Sequence, residues 1–298
     1  MLLARHASLS LVLLLASALP AGAQIRASEL ASVSQTIDGT RITVDYSRPR
    51  ARGRSPIFGE RRASVVHWGE VWTPGANYAT TFETSKPVTL DGHPVDKGKY
   101  SVWVIPSRDG AWTMVLDPDF RRFHMEPPDS LARQIRFAVR PATAAFEEEL
   151  TFTFADLSVS GARLDLHWGT TLVSMAVGVT PSLRMRTPAA EAAPFLGTYD
   201  WRYAGADSSK LYTLTLSAER GYLMGALRPD DAWPTDFAFI RVSPTRDWYT
   251  FGLFEKEEIV DVETTWVAEF TRGADGRVTG FVVRDDEDRI QARGTKRP

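Results

Sequence analysis

The sequence predicts an all-β protein: an antiparallel β-sandwich followed by a second small antiparallel β-barrel-like domain. Three observations lead there. Apolar and polar residues alternate with period two in run after run, as with Ile42, Val44 and Tyr46 in RITVDYS, the pattern of a half-buried strand. Turn residues separate most of these runs, and Asp109-Gly110 is a strong hairpin signal. Helical periodicity is almost absent, the one candidate being PDSLARQI with Asp129 as its cap.

Taken in order, residues 1–23 read as a secretory signal peptide: Arg5, the apolar run SLSLVLLLASALP, then Ala21-Gly22-Ala23 before Gln24. The run is shorter than the roughly 20 apolar residues a spanning helix needs. A sandwich domain is expected over 28–180, with strands in RITVDYS, YSVWVIP, WTMVLD, IRFAV, LTFTFADL, ARLDLHWG and TLVSMAVGV. Residues 181–194, PSLRMRTPAAEAAP, break the alternation with three prolines and read as a linker. From 195 to 298 short alternating runs resume, beginning with Phe195, Tyr199, Trp201 and Tyr203 on one face. About eight strands in this span suggest an up-and-down barrel or closed meander, because closure removes exposed edges. Its interior reads as filled by Tyr, Phe and Trp, leaving no space for an apolar ligand.

Composition narrows the function. The 43% hydrophobic and 24% charged fractions are those of a folded globular chain. The formal charge is −2, and signal removal takes away one more cation, Arg5. That acidity argues against nucleic acid as a partner, since phosphate binding needs a basic surface. Cysteine is absent, so there is no disulfide, no thiol nucleophile and no cysteine for N-terminal lipidation. An exported product, periplasmic or secreted, without a transmembrane segment after signal removal, is the natural reading. Nothing in the sequence fixes an oligomeric state.

The blocks TVDYSRPRARGRSPIFGE and GEVWTPGANYATTFETSKPVTLDGHPVDKGKYSVWVIP resemble an exported bacterial family known as domain of unknown function 2911. Its usual run is Y-S-R-P, G-R-x-I-F-G, V-W-R-x-G-A-N-x-A-T and G-x-Y-x-[LV]-x-x-I-P. The resemblance covers about residues 28–179. Thr73 stands where an arginine is common after VW, and Ser55 and Pro56 are inserted between GR and IFG. The resemblance implies an exported β-sandwich and brings no catalytic residues, substrate or cofactor. The C-terminal half is similar, through FLGTYD and GRVTGFVVR, to small barrel modules of bacterial penicillin-recognising hydrolases, a likeness of architecture alone.

Candidate chemistry concentrates in residues 47–77, about 30 residues with little strand alternation and too aromatic to be disordered. Phe58, Trp68 and Trp72 are expected to pin this stretch down. Arg48, Arg54, Trp72 and Asn77 are the candidate ligand-binding residues: a guanidinium fork for an anion, an indole face for stacking, an amide that donates and accepts. The competing expectation is an Ω-type loop in which the arginines satisfy backbone carbonyls and Asn77 makes a turn bond. His67, His93, His124 and His167 are scattered without metal-ligand spacing, so no metal is expected. His167 is assigned to a solvent face, and the acidic runs DPDF and DDEDR to turns with solvated charge. The tryptophans are expected in cores, Trp233 excepted as the candidate for exposure. No local catalytic motif or cofactor fingerprint occurs. The expected function is therefore a non-catalytic binding or interaction protein for a small anionic or sugar-like ligand, a small molecule or a glycan; the alternative is an envelope hydrolase with Glu70 or Asp45 as acid or base.

Overall fold

The computed structural model describes residues 27–129, 131–205, 209–231 and 235–298. Residues 1–23, expected to be a signal peptide, and Trp233 lie outside them. Twelve strands build the first half: β1 (Glu29–Ile37), β2 (Thr40–Arg48), β3 (Phe58–Gly59), β4 (Val66–His67), β5 (Thr81–Thr84), β6 (Val88–Leu90), β7 (His93–Val95), β8 (Gly98–Ile105), β9 (Trp112–Asp117), β10 (Ile135–Val139), β11 (Pro141–Ser158) and β12 (Gly161–Val179). They form a six-stranded sheet in the order β1-β2-β5-β8-β9-β10, a four-stranded sheet in the order β11-β12-β6-β7, and a small parallel pair β3-β4. Between the two larger sheets lies one apolar core, with Ile42, Val44, Phe82, Val104 and Met114 from one side and Phe152, Leu164, Leu166 and Met175 from the other. Alternation in the sequence places these residues inward.

Three departures from the expected elements have physical causes. β1 escapes detection because its inward positions are Ala31, Val33, Gln35 and Ile37, too few large apolar groups to mark a period. β11 runs unbroken from Pro141, yet its pairing with β12 shifts register between Thr143, Glu147 and Thr151, and bulges of this kind erase a strict period of two. The helix expected after Asp129 is a single 3-10 turn, Leu131–Arg133, because the chain enters β10 at Ile135 to pair with β9.

The second half is a closed barrel of consecutive antiparallel strands: β13 (Gly197–Tyr203), β14 (Tyr212–Glu219), β15 (Tyr222–Arg228), β16 (Asp236–Arg241), β17 (Trp248–Glu255), β18 (Glu258–Arg272), β19 (Val278–Arg284) and β20 (Ile290–Lys296), with β20 returning to pair with β13. Its interior holds Tyr199, Trp201, Phe237, Phe239, Tyr249, Phe251, Phe270 and Phe281. Gly294 makes this packing feasible. A Cβ there would come within 2.2 Å of the Phe281 ring, so any side chain at 294 would displace it.

Residues 181–194 are fastened along their length. Ser182 donates to the Asp38 carboxylate at the β1–β2 turn, Leu183 and Met185 pack on an outer barrel cluster of Tyr222, Met224, Ala238, Ile240 and Ile259, and the Thr187 N–H reaches the Gly221 carbonyl at 2.8 Å. One helical turn, α1 (Ala189–Ala192), and the 3-10 turn after it carry Ala192 and Phe195 into the barrel core. The prolines that stop strand pairing here leave the apolar residues between them free to pack.

The DDEDR run does form a turn, but Asp285 is not solvated as expected: its side chain is 5% exposed. Its carboxylate accepts the Arg289 N–H and Nε, each at 2.8 Å, and Gln291 Nε2 at 2.7 Å. Burial opposes ionisation, yet these bonds outweigh it and hold the pKa below the usual aspartate range. A depressed folded pKa contributes stability above the unfolded value, about 3.9, and that contribution is lost as the pH falls through the folded value. Asp285→Asn is expected to lower stability at pH 7 and to flatten the acid side of the stability curve. Urea unfolding from pH 7 to pH 2 checks this, and an acid slope equal to the parent's would contradict it.

Candidate functional site

The irregular stretch 47–77 is ordered by its aromatic anchors. Phe58 is buried against Trp112 at 4.8 Å between ring centroids, meets Trp72 edge-on at 5.5 Å, and lies in the same cluster as Trp68 and Trp168. Trp72 stacks on Trp168 at 6.1 Å with 15° between planes. The backbone of Trp72 bonds Val104 in both directions, so GEVWT continues the slot beside β8 that β5 occupies lower down. Residues 74–79 then swing out of the sheet and return at Thr80. Buried Thr73 closes that excursion: its hydroxyl donates to the Val102 carbonyl at 2.8 Å and accepts the Thr80 N–H at 3.0 Å. Gly75 sits at its tightest point, where a Cβ would lie 2.9 Å from Thr80 Oγ1 and 3.3 Å from the Ser47 carbonyl.

Each of the four candidate ligand residues is engaged within this framework. Arg48 donates through Nε to the Leu150 carbonyl at 3.3 Å and through Nη2 to Thr151 Oγ1 at 2.9 Å, tying β2 to β11 across the sandwich edge. Arg54 donates to the carbonyls of Ala51 and Arg50 at 2.9 and 2.5 Å. Trp72 is half-buried in the indole stack. Asn77 has φ of 62°, a left-handed turn its short side chain tolerates, and its amide donates to the Ser28 carbonyl and Ser47 Oγ, each at 3.2 Å. Arg54 makes the local carbonyl bonds of the Ω-type alternative, whereas Arg48 and Asn77 reach to β11, to β2 and to the residue before β1.

The titratable groups form surface or structural pairs. Glu70 is bonded by His67 Nδ1 at 3.1 Å and by Arg61 Nη2; the His67 bond and the Arg61 charge hold its carboxyl below the usual glutamate range. Asp45 and Glu83 share Lys99 on the outer face of the six-stranded sheet, at 3.0 and 3.4 Å. Two expectations need correction. Asp117 in DPDF is fully buried, accepting the Asp119 N–H and Gln134 Nε2, because the chain turns back over it after β9. His167 lies on the face opposite the buried Leu166 and Trp168, yet is half-buried with its Nε2 shielded from solvent. Among the described residues no group of three His, Asp or Glu side chains is set to hold a metal ion, and no tryptophan is exposed.

A cleft of about 1020 Å³ opens between the β11–β12 hairpin and the β17–β18 hairpin of the barrel. Arg163 lines it, its Nε on both oxygens of Asp165 at 3.0 Å and its Nη1 on Asp156, while Ser174 Oγ donates to Asp165 at 2.6 Å. The barrel wall contributes Glu255, Lys256, Glu257 and Glu258. None of Arg48, Arg54, Trp72 and Asn77 lines it. Carboxylates outnumber cations on this lining, so its potential is negative. The cleft escapes sequence reading because residues some hundred positions apart build it, and its local sign is one charged hairpin turn, Glu255-Lys256-Glu257-Glu258.

A family model described as "Protein of unknown function (DUF2911)" matches residues 28–177. The chain belongs to this family. In this DUF2911 protein the match takes in the sandwich up to two residues before the end of β12. The structure gives the shared motifs a role in building that sandwich. In Y-S-R-P, Tyr46 Oη accepts the Phe152 N–H, Arg48 crosses to β11, and the Pro49 carbonyl accepts the Leu150 N–H. The inserted Ser55 and Pro56 lie exposed.

Proposed function

We propose that this DUF2911 protein is an exported, non-catalytic binding protein whose ligand, an uncharged hydroxyl-rich molecule of the sugar class, occupies the cleft between sandwich and barrel. The observation that carries the reading is the cleft itself: a large concave surface lined by carboxylates, Arg163 and the serines 158, 160 and 174, which between them donate to and accept from hydroxyl groups. Its negative potential disfavours the anionic ligand class, so the sugar-like class is retained. The leader-like residues 1–23 support export. The bonding of Glu70 weighs against the hydrolase alternative. Glu70 is paired with His67 and Arg61, Asp45 is paired with Lys99, and neither carboxylate lines the cleft.

The test is a calorimetric screen of neutral and acidic oligosaccharides against three proteins. Ala176 is exposed and lines the cleft, so Ala176→Trp is expected to weaken binding of a neutral sugar at least ~tenfold by filling the site. Arg54→Met is expected to leave it unchanged. The opposite pattern would move the site to the 47–77 loop, and heats from acidic sugars alone would overturn the charge argument.

A further inference from the structure

A second concavity, of about 480 Å³, opens on the seam where β13 and β20 close the barrel, and we propose that it is a binding site for a small phosphate or sulfate ester. It shares no residue with the cleft, and β19 on one side and β14 to β16 on the other separate this seam from the β17–β18 hairpin. Arg202 and Arg293 both line it and are register partners across the seam. Residues so paired in an antiparallel ladder have Cβ atoms about 4.5–5.5 Å apart on one face, and like charges there repel. Among the described residues neither guanidinium meets a carboxylate: Arg202 donates through Nη1 to the Ser209 carbonyl at 3.2 Å, and Arg293 makes no side-chain hydrogen bond. Asp200, the carboxylate on this lining, is taken by Arg297 at 2.7 and 2.8 Å. The chain as a whole carries −2, so two uncompensated cations in one mouth are a local exception that opposes folding.

The donors decide the ligand class. Two guanidinium forks on one lining, with the Thr295 hydroxyl beside them, suit the three terminal oxygens of a phosphate or sulfate ester, which accept from several directions at once. A carboxylate offers two oxygens in one plane. The carbon part of the ester has its own wall. Tyr203 and Ala292, the next register pair, turn toward the barrel core, and Ile290 joins them on the lining at the start of β20. Tyr203 meets Trp201 and Tyr212 edge-on at 5.4 and 5.5 Å, which fixes its ring at the rim. Burial pushes its phenol up to about 12, so the group stays neutral and adds no charge that would repel an anion. Volume sets the size: 480 Å³ lies toward the small end for a ligand site and takes an aryl-sized or monosaccharide-sized ester rather than a polymer.

Calorimetric titration of the protein with phenyl phosphate, inorganic phosphate and benzoate, at an ionic strength held constant with sodium chloride, tests the assignment. Phenyl phosphate is expected to bind and to be displaced by inorganic phosphate, with benzoate at least ~tenfold weaker than phenyl phosphate. Arg293→Met is expected to weaken phenyl phosphate at least ~tenfold. Arg293→Lys, which keeps the charge and loses the fork, is expected to recover only part of that affinity. Because the methionine also removes the repulsion with Arg202, the melting temperature of Arg293→Met without ligand is expected to equal or exceed that of the parent. Should that variant fail to fold, Arg202→Met carries the same test. Three outcomes overturn the proposal: no heat from phenyl phosphate beyond that of chloride, equal affinity for benzoate, or an affinity that neither methionine variant changes. Ala176→Trp is expected to leave phenyl phosphate binding intact and Arg293→Met to leave neutral-sugar binding intact, so this site and the cleft reading fail separately.

Discussion

Replacing Phe239 with alanine is expected to lower the stability of the barrel by about 3–5 kcal/mol. The ring is fully buried, with Phe237 and Phe251 at 5.4 Å, Phe270 at 5.6 Å and Phe281 and Tyr249 at 6.2 and 6.3 Å between centroids. A closed ladder of eight strands cannot draw in around the vacated volume, so the cost sits at the upper end of the range for large-to-small changes. The barrel and sandwich cores share no residue, and unfolding is expected in two steps of which the substitution moves one. Urea denaturation followed by tryptophan fluorescence, with Trp201 reporting on the barrel and Trp168 on the sandwich, checks both statements. A loss below about 1 kcal/mol would mean that the barrel relaxes far more than its packing implies.

Thr73→Val is expected to destabilise the sandwich by about 1–3 kcal/mol. The two side chains are close in shape, so packing is kept while the hydroxyl that bonds Val102 and Thr80 is lost. The Thr80 N–H then stays buried without this acceptor, and an unsatisfied buried donor costs more than an average hydrogen bond contributes. Thr73→Ser keeps the hydroxyl and serves as the control. Midpoints of urea unfolding decide the matter: if valine and serine behave alike, the 74–79 excursion is held by something other than this hydroxyl.

The fold was largely legible in the sequence because its strands alternate cleanly wherever one face meets a core, as in Ile42-Val44-Tyr46 and in the aromatic series of the barrel. Legibility failed where geometry breaks that rule. β1 presents serines and threonines at an edge, β11 carries bulges, and β5 is only four residues long because the GEVWT segment occupies the rest of its slot. The candidate site was harder to read. Arginine, asparagine and tryptophan in a long loop have the composition of a ligand pocket, and they have the same composition when they bond the loop's own carbonyls and those of neighbouring strands. Only the positions of Leu150, Ala51 and Arg50 relative to those guanidinium groups separate the two cases. The cleft was invisible for a different reason, since it is assembled from segments that meet only after both halves have folded.

The packed strap over residues 182–185, with the Val159 N–H reaching the Ile259 carbonyl at 3.3 Å and Val159 seated in the same outer cluster, sets the spacing between the two walls of the cleft before anything enters it. On the reading proposed for the cleft, a guest meets walls already held at their spacing and gives up mainly its own freedom on arrival. On that same proposal, discrimination comes from the shape of the cleft and the hydroxyl pattern its lining can match.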